Sequence, residues 1–378
     1  MKTSVVAFFA TTDYIPTASI SSVQNLHIPR NRTTFVIRII SATILMENKK
    51  ASLESTNNPI YKDFFFKNDF IQKLVQKQKI HPTIWRESVN SFSIRNRSTE
   101  KNKKPIICRI LQETFGIENE HLFKIKYEEA TSGEGQEWKR ITTLHSSSLI
   151  ALLCFYSVSE KHPLSIGDYI FNESFFEVKT IVKDNHKSNM DIVLRGFNNK
   201  TGKKAVLFLE SKFTEYLNCG KKGDISIDAY KDEYEELSLF DRPLGKTLFS
   251  QDDKGICIKA ENPRKTPIYC GGIKQMLSHY IGVGNYATQK SAEHSIFKYA
   301  DNEDILLGEI MFDFQEAIRR SSDKLENYKK VYSELAERIN RHQCHIKMID
   351  RVMTYQQIFT EDNPNFIKEE NTKQFYNL

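Results

Sequence analysis

The stretch from Asn189 to Lys212 constrains the fold more than any other part of the chain. Met190–Leu194 and Ala205–Leu209 are apolar runs, and the polar segment between them carries Gly196, Gly202, Asn198 and Asn199. Two such runs joined by a polar, Gly- and Asn-containing connection form the pattern of a β-hairpin. With the turn centred near Lys200 and Thr201, Asp191 faces Glu210 across the hairpin. Side chains alternate along a strand, so Lys212 points to the same face as Glu210. The simplest hairpin therefore gathers two carboxylates and one ammonium at one end of a sheet. Like charges placed directly opposite one another destabilise a sheet pair, and a divalent cation would resolve that conflict. Oxygen donors at this density suit Mg2+, which takes one or two carboxylates together with waters and substrate phosphate oxygens. Such an ion polarises a phosphoryl group and acidifies a bound water. The chemistry implied is phosphodiester hydrolysis, with Lys212 orienting the water or steadying developing charge.

The rest of the chain supplies elements around the hairpin. His145-Ser146-Ser147-Ser148 offers N-cap chemistry for a helix over 149–157. Phe175–Val182 reads as a further strand, 273–281 as a helix bounded by glycines, and Ile305–Phe314 as an apolar run. Between Ser321 and Gln343, Leu325, Tyr328, Tyr332, Leu335 and Ile339 recur at helical spacing, an amphipathic stripe that core packing explains. A helix, then strands, then helices predict an α/β (mixed α+β) domain with a central mixed sheet flanked by helices.

The sequence here resembles the PD-(D/E)xK nuclease superfamily, the fold of many restriction endonucleases, and is similar to uncharacterised bacterial restriction-endonuclease-like proteins. Asp191 matches the acidic residue on one strand of that motif, and Glu210-Ser211-Lys212 matches the (D/E)-x-K on the next; Met190 stands where a Pro usually precedes the acid. The resemblance implies that Asp191 and Glu210 hold Mg2+ (or Mn2+ as a substitute), with the Ser211 carbonyl helping, and that Lys212 serves the attacking water. It also implies a polar residue on the following helix, for which Gln275, one turn from His279, is the candidate. It implies a Glu on the first core helix as well, and 148–157 contains none. The function it implies is a Mg2+-dependent DNA endonuclease in restriction or defence, acting on DNA as partner and as a homodimer where both strands are cut. A repair or recombination nuclease, and a nuclease-derived module that binds without cutting, are the alternatives.

The tripeptide alone is weak, because the chain holds five (D/E)-x-K matches, at Glu47, Glu137, Glu177, Glu210 and Asp252. Only Glu210 closes an apolar run with a hairpin-matched acid upstream. The rival arrangement pairs Asp168 with Glu177 and Lys179 across a turn at Asn172-Glu173, which lacks glycine. A purely structural reading has Asp191 and Lys212 capping a sheet as surface charges. Lys200, Lys203 and Lys204 at the hairpin tip could touch a DNA backbone or simply be solvated. The Gly133-Glu134-Gly135-Gln136 loop lacks the residues and spacing of a phosphate-binding loop.

Composition bounds these readings. With 378 residues the chain is long enough for two domains or one large domain with extensions, and 54 Lys+Arg against 48 Asp+Glu gives a net charge of +6, compatible with a polyanionic partner. No apolar stretch reaches the roughly 18 residues that span a bilayer. Six cysteines without a C-x-x-C pair argue against a zinc site or a disulfide framework, so a reducing, cytoplasmic location is expected. Residues 1–45 carry a single acidic residue, Asp13, and read as a signal peptide, as a transit peptide, or as sequence upstream of a true start at Met46, the reading favoured. The expected organisation is a leader at 1–45, an extension at 46–105 ending in the basic linker Arg95–Pro105, a core at 106–350 and a tail at 351–378.

Overall fold

The fold was analysed in a computed structural model of the chain. It describes residues 68–70, 100–132, 138, 141, 146–183, 186–218, 224–228, 249–252, 255–261, 268–288, 303–314, 323–342, 345–359, 363, 366–367 and 369–378. The chain divides into two units, Met1–Ser55 and Thr56–Leu378, and all described residues belong to the second. The expected leader and most of the expected extension lie outside the described residues.

Among the described residues, α1 (Glu100–Phe115), α2 (Glu120–Ala130) and α3 (Ser147–Phe155) lead into the sheet. Residues 100–105, expected to be linker, form the start of α1, with Pro105 inside the helix. Ser146 caps α3 by accepting from the Leu149 amide at 3.1 Å, as the serine run predicts. Every residue from Leu149 to Phe155 is buried, so α3 is a core helix rather than an amphipathic one.

Strands β1 (Leu164–Ile166), β2 (Tyr169–Lys183), β3 (His186–Asn198) and β4 (Lys204–Lys212) form an antiparallel meander. The predicted hairpin is β3–β4, and its register runs from Phe197↔Lys204 to Ile192↔Leu209. Its turn is built by Asn198, whose Oδ1 accepts from the Lys200 and Thr201 amides, and by Gly202 at φ +69°. Beyond β4 comes a small three-stranded sheet of β5 (Ile225–Ser226), β6 (Phe249–Asp252) and β7 (Gly255–Ile258). Helix α4 (Cys270–Ala287) then returns the chain to β8 (Asp304–Met311), which lies parallel to β4. Helix α5 (Asp323–His342) carries the predicted stripe, and all five of its residues are buried.

The chain finishes with β9 (Lys347–Met348), β10 (Met353–Thr354), α6 (Tyr355–Ile358) and α7 (Glu370–Tyr376). Both β9 and β10 pair in parallel with β8, giving a seven-stranded mixed sheet, so the fold is α+β with helices flanking a mixed sheet. Residues 353–354 thus belong to that sheet rather than to a tail. Helix α3 packs on β3 and β4, and α4 packs on β2, β3 and β8. Ser211 of β4 reaches Ser147 of α3, while its neighbour Glu210 reaches α4, and strand alternation puts these two helices on opposite faces.

Candidate functional site

The C-terminal end of β4 is where sequence and topology deliver charge. Extending the β3–β4 register one residue beyond Ile192↔Leu209 sets Asp191 opposite Glu210. Direct pairing stops there because the Asp191 side chain enters the ladder, its Oδ2 accepting from the Ser211 amide at 2.8 Å. That amide points away from β8, and a residue's N–H and C=O leave a strand on the same side, so the Ser211 carbonyl also faces Asp191. The Lys212 carbonyl points the other way and accepts from Phe312 N at 3.0 Å. The Ser211 hydroxyl is engaged on the α3 side, 2.7 Å from the Tyr355 hydroxyl and 3.3 Å from the Ser147 carbonyl.

Glu210 and Lys212 lie on the α4 face and form a buried ion pair, 3% and 4% exposed. Gln275 Nε2 donates to Glu210 Oε1 at 3.1 Å, and His279 Nε2 donates to Oε2 at 2.8 Å. The other imidazole nitrogen, Nδ1, shares a hydrogen bond with Ser188 Oγ of β3. Helix α4 can approach this closely because Gly282 sits against Thr180 of β2, where a Cβ would meet Thr180 Oγ1 at 2.2 Å. Gln275 and His279, one turn apart, therefore both reach Glu210, and the helix chosen from sequence meets the strand end chosen from sequence.

Burial acts to raise the Glu210 carboxyl, but its interactions and hydrogen bonds with Lys212 and His279 outweigh it and hold the group well below the usual carboxylate range. Asp191 moves the other way: burial first, then the charge of Glu210, push it well above that range. Burial alone would lower Lys212, yet Glu210 and its acidic neighbours raise it, so the ammonium stays charged. One carboxylate is thus held ionised, while burial and its facing neighbour push the other toward its protonated form.

These donors fit Mg2+ chemically: two carboxylates and a carbonyl, all hard oxygens. Glu210 accepts three donors, one fewer than the roughly four lone-pair positions of a carboxylate. Asp191 Oδ1 takes none among the described residues. Among the described residues, no cluster of three or more His, Cys, Asp or Glu side chains already has metal-ligand geometry.

Sequence reasoning did not place two residues in this neighbourhood, Glu309 and Glu177, the second of which it gave to the rival arrangement. Glu309 of β8 is the register partner of Glu210 and is fully buried. Its Oε2 accepts from the Tyr328 hydroxyl at 2.6 Å, and its Oε1 has no donor among the described residues. Burial pushes its carboxyl up to about 8, against the opposing pull of Lys212 and Tyr328. An acid in the middle of the apolar run Ile305–Phe314, ahead of the second acid Asp313 near its end, was the available signal. The second is Glu177, buried in β2 at φ +51°. Phe176↔Ile192 and Val178↔Met190 flank it, so it stands opposite Asp191.

That geometry replaces the rival arrangement of Asp168 with Glu177 and Lys179. Tyr169–Lys183 is one continuous strand, which leaves no turn at Asn172-Glu173, and Asp168 instead pairs with Lys200 at 2.8 Å. Lys203 pairs with Asp304 at 2.6 Å, so two of the three hairpin-tip lysines have partners within the chain. The four described cysteines, Cys108, Cys154, Cys257 and Cys270, are free thiols. No helix among the described residues is long and apolar enough to cross a membrane. Comparison with family models, with curated proteins and with solved structures gives no match for the chain.

Proposed function

We propose that the chain is a metal-dependent DNA endonuclease of the PD-(D/E)xK kind, acting in restriction or defence. The observation that carries this reading is the convergence of Asp191, Glu210 and Lys212 at one strand end, with Gln275 donating to Glu210 from the helix that follows. The path of the chain gives further support: a helix, an antiparallel meander, a second helix on the opposite face, and a strand parallel to the last strand of the meander. This is the order expected of the restriction-endonuclease-like core that the sequence resembles.

Asp191, Glu210 and the Ser211 carbonyl would hold Mg2+, or Mn2+ in its place. When bound, such an ion supplies Lewis-acid polarisation of the scissile phosphate and a bound water acidic enough to attack. The protein's own residues perform the rest. Gln275 and His279 fix both oxygens of Glu210, so the carboxylate is oriented before substrate arrives. Lys212 remains an ammonium inside the sheet end, where low local dielectric strengthens its pull on an attacking water and on charge developing at phosphorus. The net charge of +6 favours a polyanionic substrate. Cutting both strands of a duplex calls for two such sites, hence a homodimer.

The test is cleavage of supercoiled, linear and branched DNA by the full chain in Mg2+ or in EDTA, alongside Asp191→Ala and Lys212→Ala. Expected is Mg2+-dependent cleavage that falls by about a hundredfold or more in each variant. A folded parent that cuts none of the three substrates, or variants that cut as well as the parent, would overturn the reading.

A further inference from the structure

Helix α4 is fastened to the β2–β3 hairpin along one side, and one of the fastenings reaches the candidate site. His279, Gly282 and Asn285 recur at helical spacing, so they run along that side. Gly282 rests against Thr180, whose hydroxyl donates to the Ser188 carbonyl at 3.3 Å across the register pair Thr180↔Ser188. Asn285 Nδ2 donates to the Ile181 and Val182 carbonyls, each at 2.9 Å. His279 bridges from this seam to the site: its Nε2 lies 2.8 Å from Glu210 Oε2, and its Nδ1 hydrogen-bonds Ser188 Oγ. Ser188, His279 and Glu210 are all buried.

Donor counting fixes where the proton sits. A buried hydroxyl needs an acceptor, and His279 Nδ1 is the partner of Ser188 Oγ among the described residues. A neutral imidazole carries one N–H and one bare nitrogen. With the proton on Nε2, Ser188 donates to the bare Nδ1 and Nε2–H donates to the Glu210 carboxylate, so all three groups are satisfied. A proton on Nδ1, in the other tautomer or in the imidazolium, would leave the Ser188 O–H without an acceptor. In the other tautomer a bare Nε2 would also face the carboxylate, lone pair against lone pair. The hydrogen bond made by one ring nitrogen sets which proton the other carries.

We propose that Ser188 is a positioning residue: its hydroxyl holds His279 in the Nε2–H tautomer, so that the imidazole presents a proton to Glu210 Oε2 and keeps that carboxylate aimed. Its effect on cleavage rests on reading Glu210 as part of a nuclease site; the tautomer does not. Lys212 and Gln275 both donate to Oε1, so His279 is the donor that sets the other oxygen. Without the Ser188 hydroxyl the ring is free to turn or to exchange tautomer, and Oε2 loses its fixed donor.

Two measurements on the full chain, at one fixed pH, test it. Imidazole nitrogen NMR of histidine-labelled protein reads the tautomer, with His279→Gln assigning the signal, and DNA cleavage in Mg2+ reads kcat and KM. Expected is an Nε2–H signature in the parent that is lost in Ser188→Ala, together with a kcat lower by about tenfold and an unchanged KM, because a buried Ser188 acts only through His279. Ser188→Thr keeps a hydroxyl and should retain both properties. Should Ser188→Ala fail to fold, Ser188→Cys, whose thiol is a weak donor, takes its place. A parent His279 with its proton on Nδ1 overturns the assignment, as does a Ser188→Ala that keeps the parent signature or the parent kcat. A Ser188→Thr that loses both would make packing, not the hydroxyl, the cause, and overturns it too. A parent that cuts no DNA yet shows the Nε2–H signature, lost in Ser188→Ala, overturns the nuclease reading and leaves the hold of Ser188 on His279 standing.

Discussion

At the scale of single residues, the neighbourhood of Glu210 contrasts two buried carboxylates on adjacent strands. Glu210 is ionised and cross-linked to Lys212, Gln275 and His279; Glu309, its register partner, is held near 8 and is therefore mostly protonated at neutral pH. A carboxyl raised in the folded state binds its proton more tightly there than in the unfolded chain. Its contribution to stability is complete below about 4.3, the unfolded value, and is lost as pH rises through about 8. Glu309→Gln keeps an oxygen for the Tyr328 hydroxyl but has no proton to lose. The variant should gain on the parent progressively between those limits, by on the order of a few kcal/mol at pH 8. Urea denaturation at pH 4.5 and pH 8 reads this directly, and a difference that does not change between the two pH values contradicts it. Asp191, Glu210 and Lys212 were legible in the sequence because hairpin spacing alone brings them near each other, whereas Gln275 was picked out by the resemblance to the nuclease motif. Glu309 and Glu177 were not, since their neighbourhood depends on which strands lie side by side, and pairing β8 with β4 is a non-local choice that residue spacing does not encode.

At the scale of elements, the hairpin was the most readable feature, because its two apolar runs and its Asn/Gly turn agree on a single register. Strand β2 was less readable. Its segment Asn172-Glu173-Ser174 is polar enough to resemble a turn, yet pairing with β3 makes it strand throughout. Consequently Glu177 lies within the strand and Asp168 in the turn that precedes it, rather than facing each other. The β2–β3 pair carries a bulge at Asn172, marked by the register shift between Phe171↔Gly196 and Glu173↔Arg195. Gly196 makes that bulge possible, since a Cβ there would lie 1.9 Å from the Ile170 carbonyl oxygen and 2.6 Å from the Phe171 Cα. Both obstacles are backbone and cannot swing aside. Gly196→Ala should therefore cost about 2–4 kcal/mol by overpacking, visible as a lower urea midpoint. Gly202→Ala meets no neighbour within 4 Å and is burdened only by its positive φ, so it should cost less, on the order of 1 kcal/mol. The reverse ranking would mean that β2 and β3 are not as close at Gly196 as the register requires.

At the scale of the whole folded unit, the last 28 residues decide whether the site can exist. Sequence periodicity placed the core within 106–350, because the segment after it is short, polar in places and without a long repeat. The sheet nevertheless takes β10 from that segment, and Tyr355 of α6 donates to or accepts from Ser211, the residue between Glu210 and Lys212. Helix α7 supplies Phe375 and Tyr376, both fully buried. Phe375 packs edge-on against Phe115 of α1 with centroids 5.3 Å apart, and Tyr376 packs against Phe213, just past Lys212, at 5.5 Å. Phe213 in turn stacks among Phe312 and Phe314 at the end of β8. The strand end that carries Glu210 and Lys212 is thus backed by an aromatic cluster whose members come from α1, from the residues just past β4 and β8, and from α7. Truncating one buried phenylalanine to alanine costs about 3–5 kcal/mol, a large share of the roughly 5–15 kcal/mol that separates folded from unfolded domains. Phe375→Ala should lower stability by about that amount while leaving the secondary structure intact at 25 °C. Removing residues 351–378 takes β10, the Tyr355 contact and both aromatics together, and should abolish the cooperative unfolding transition seen by circular dichroism. A truncated chain that melts cooperatively near the parent temperature would place the end of this structural unit at residue 350 and detach α7 from the support of the site.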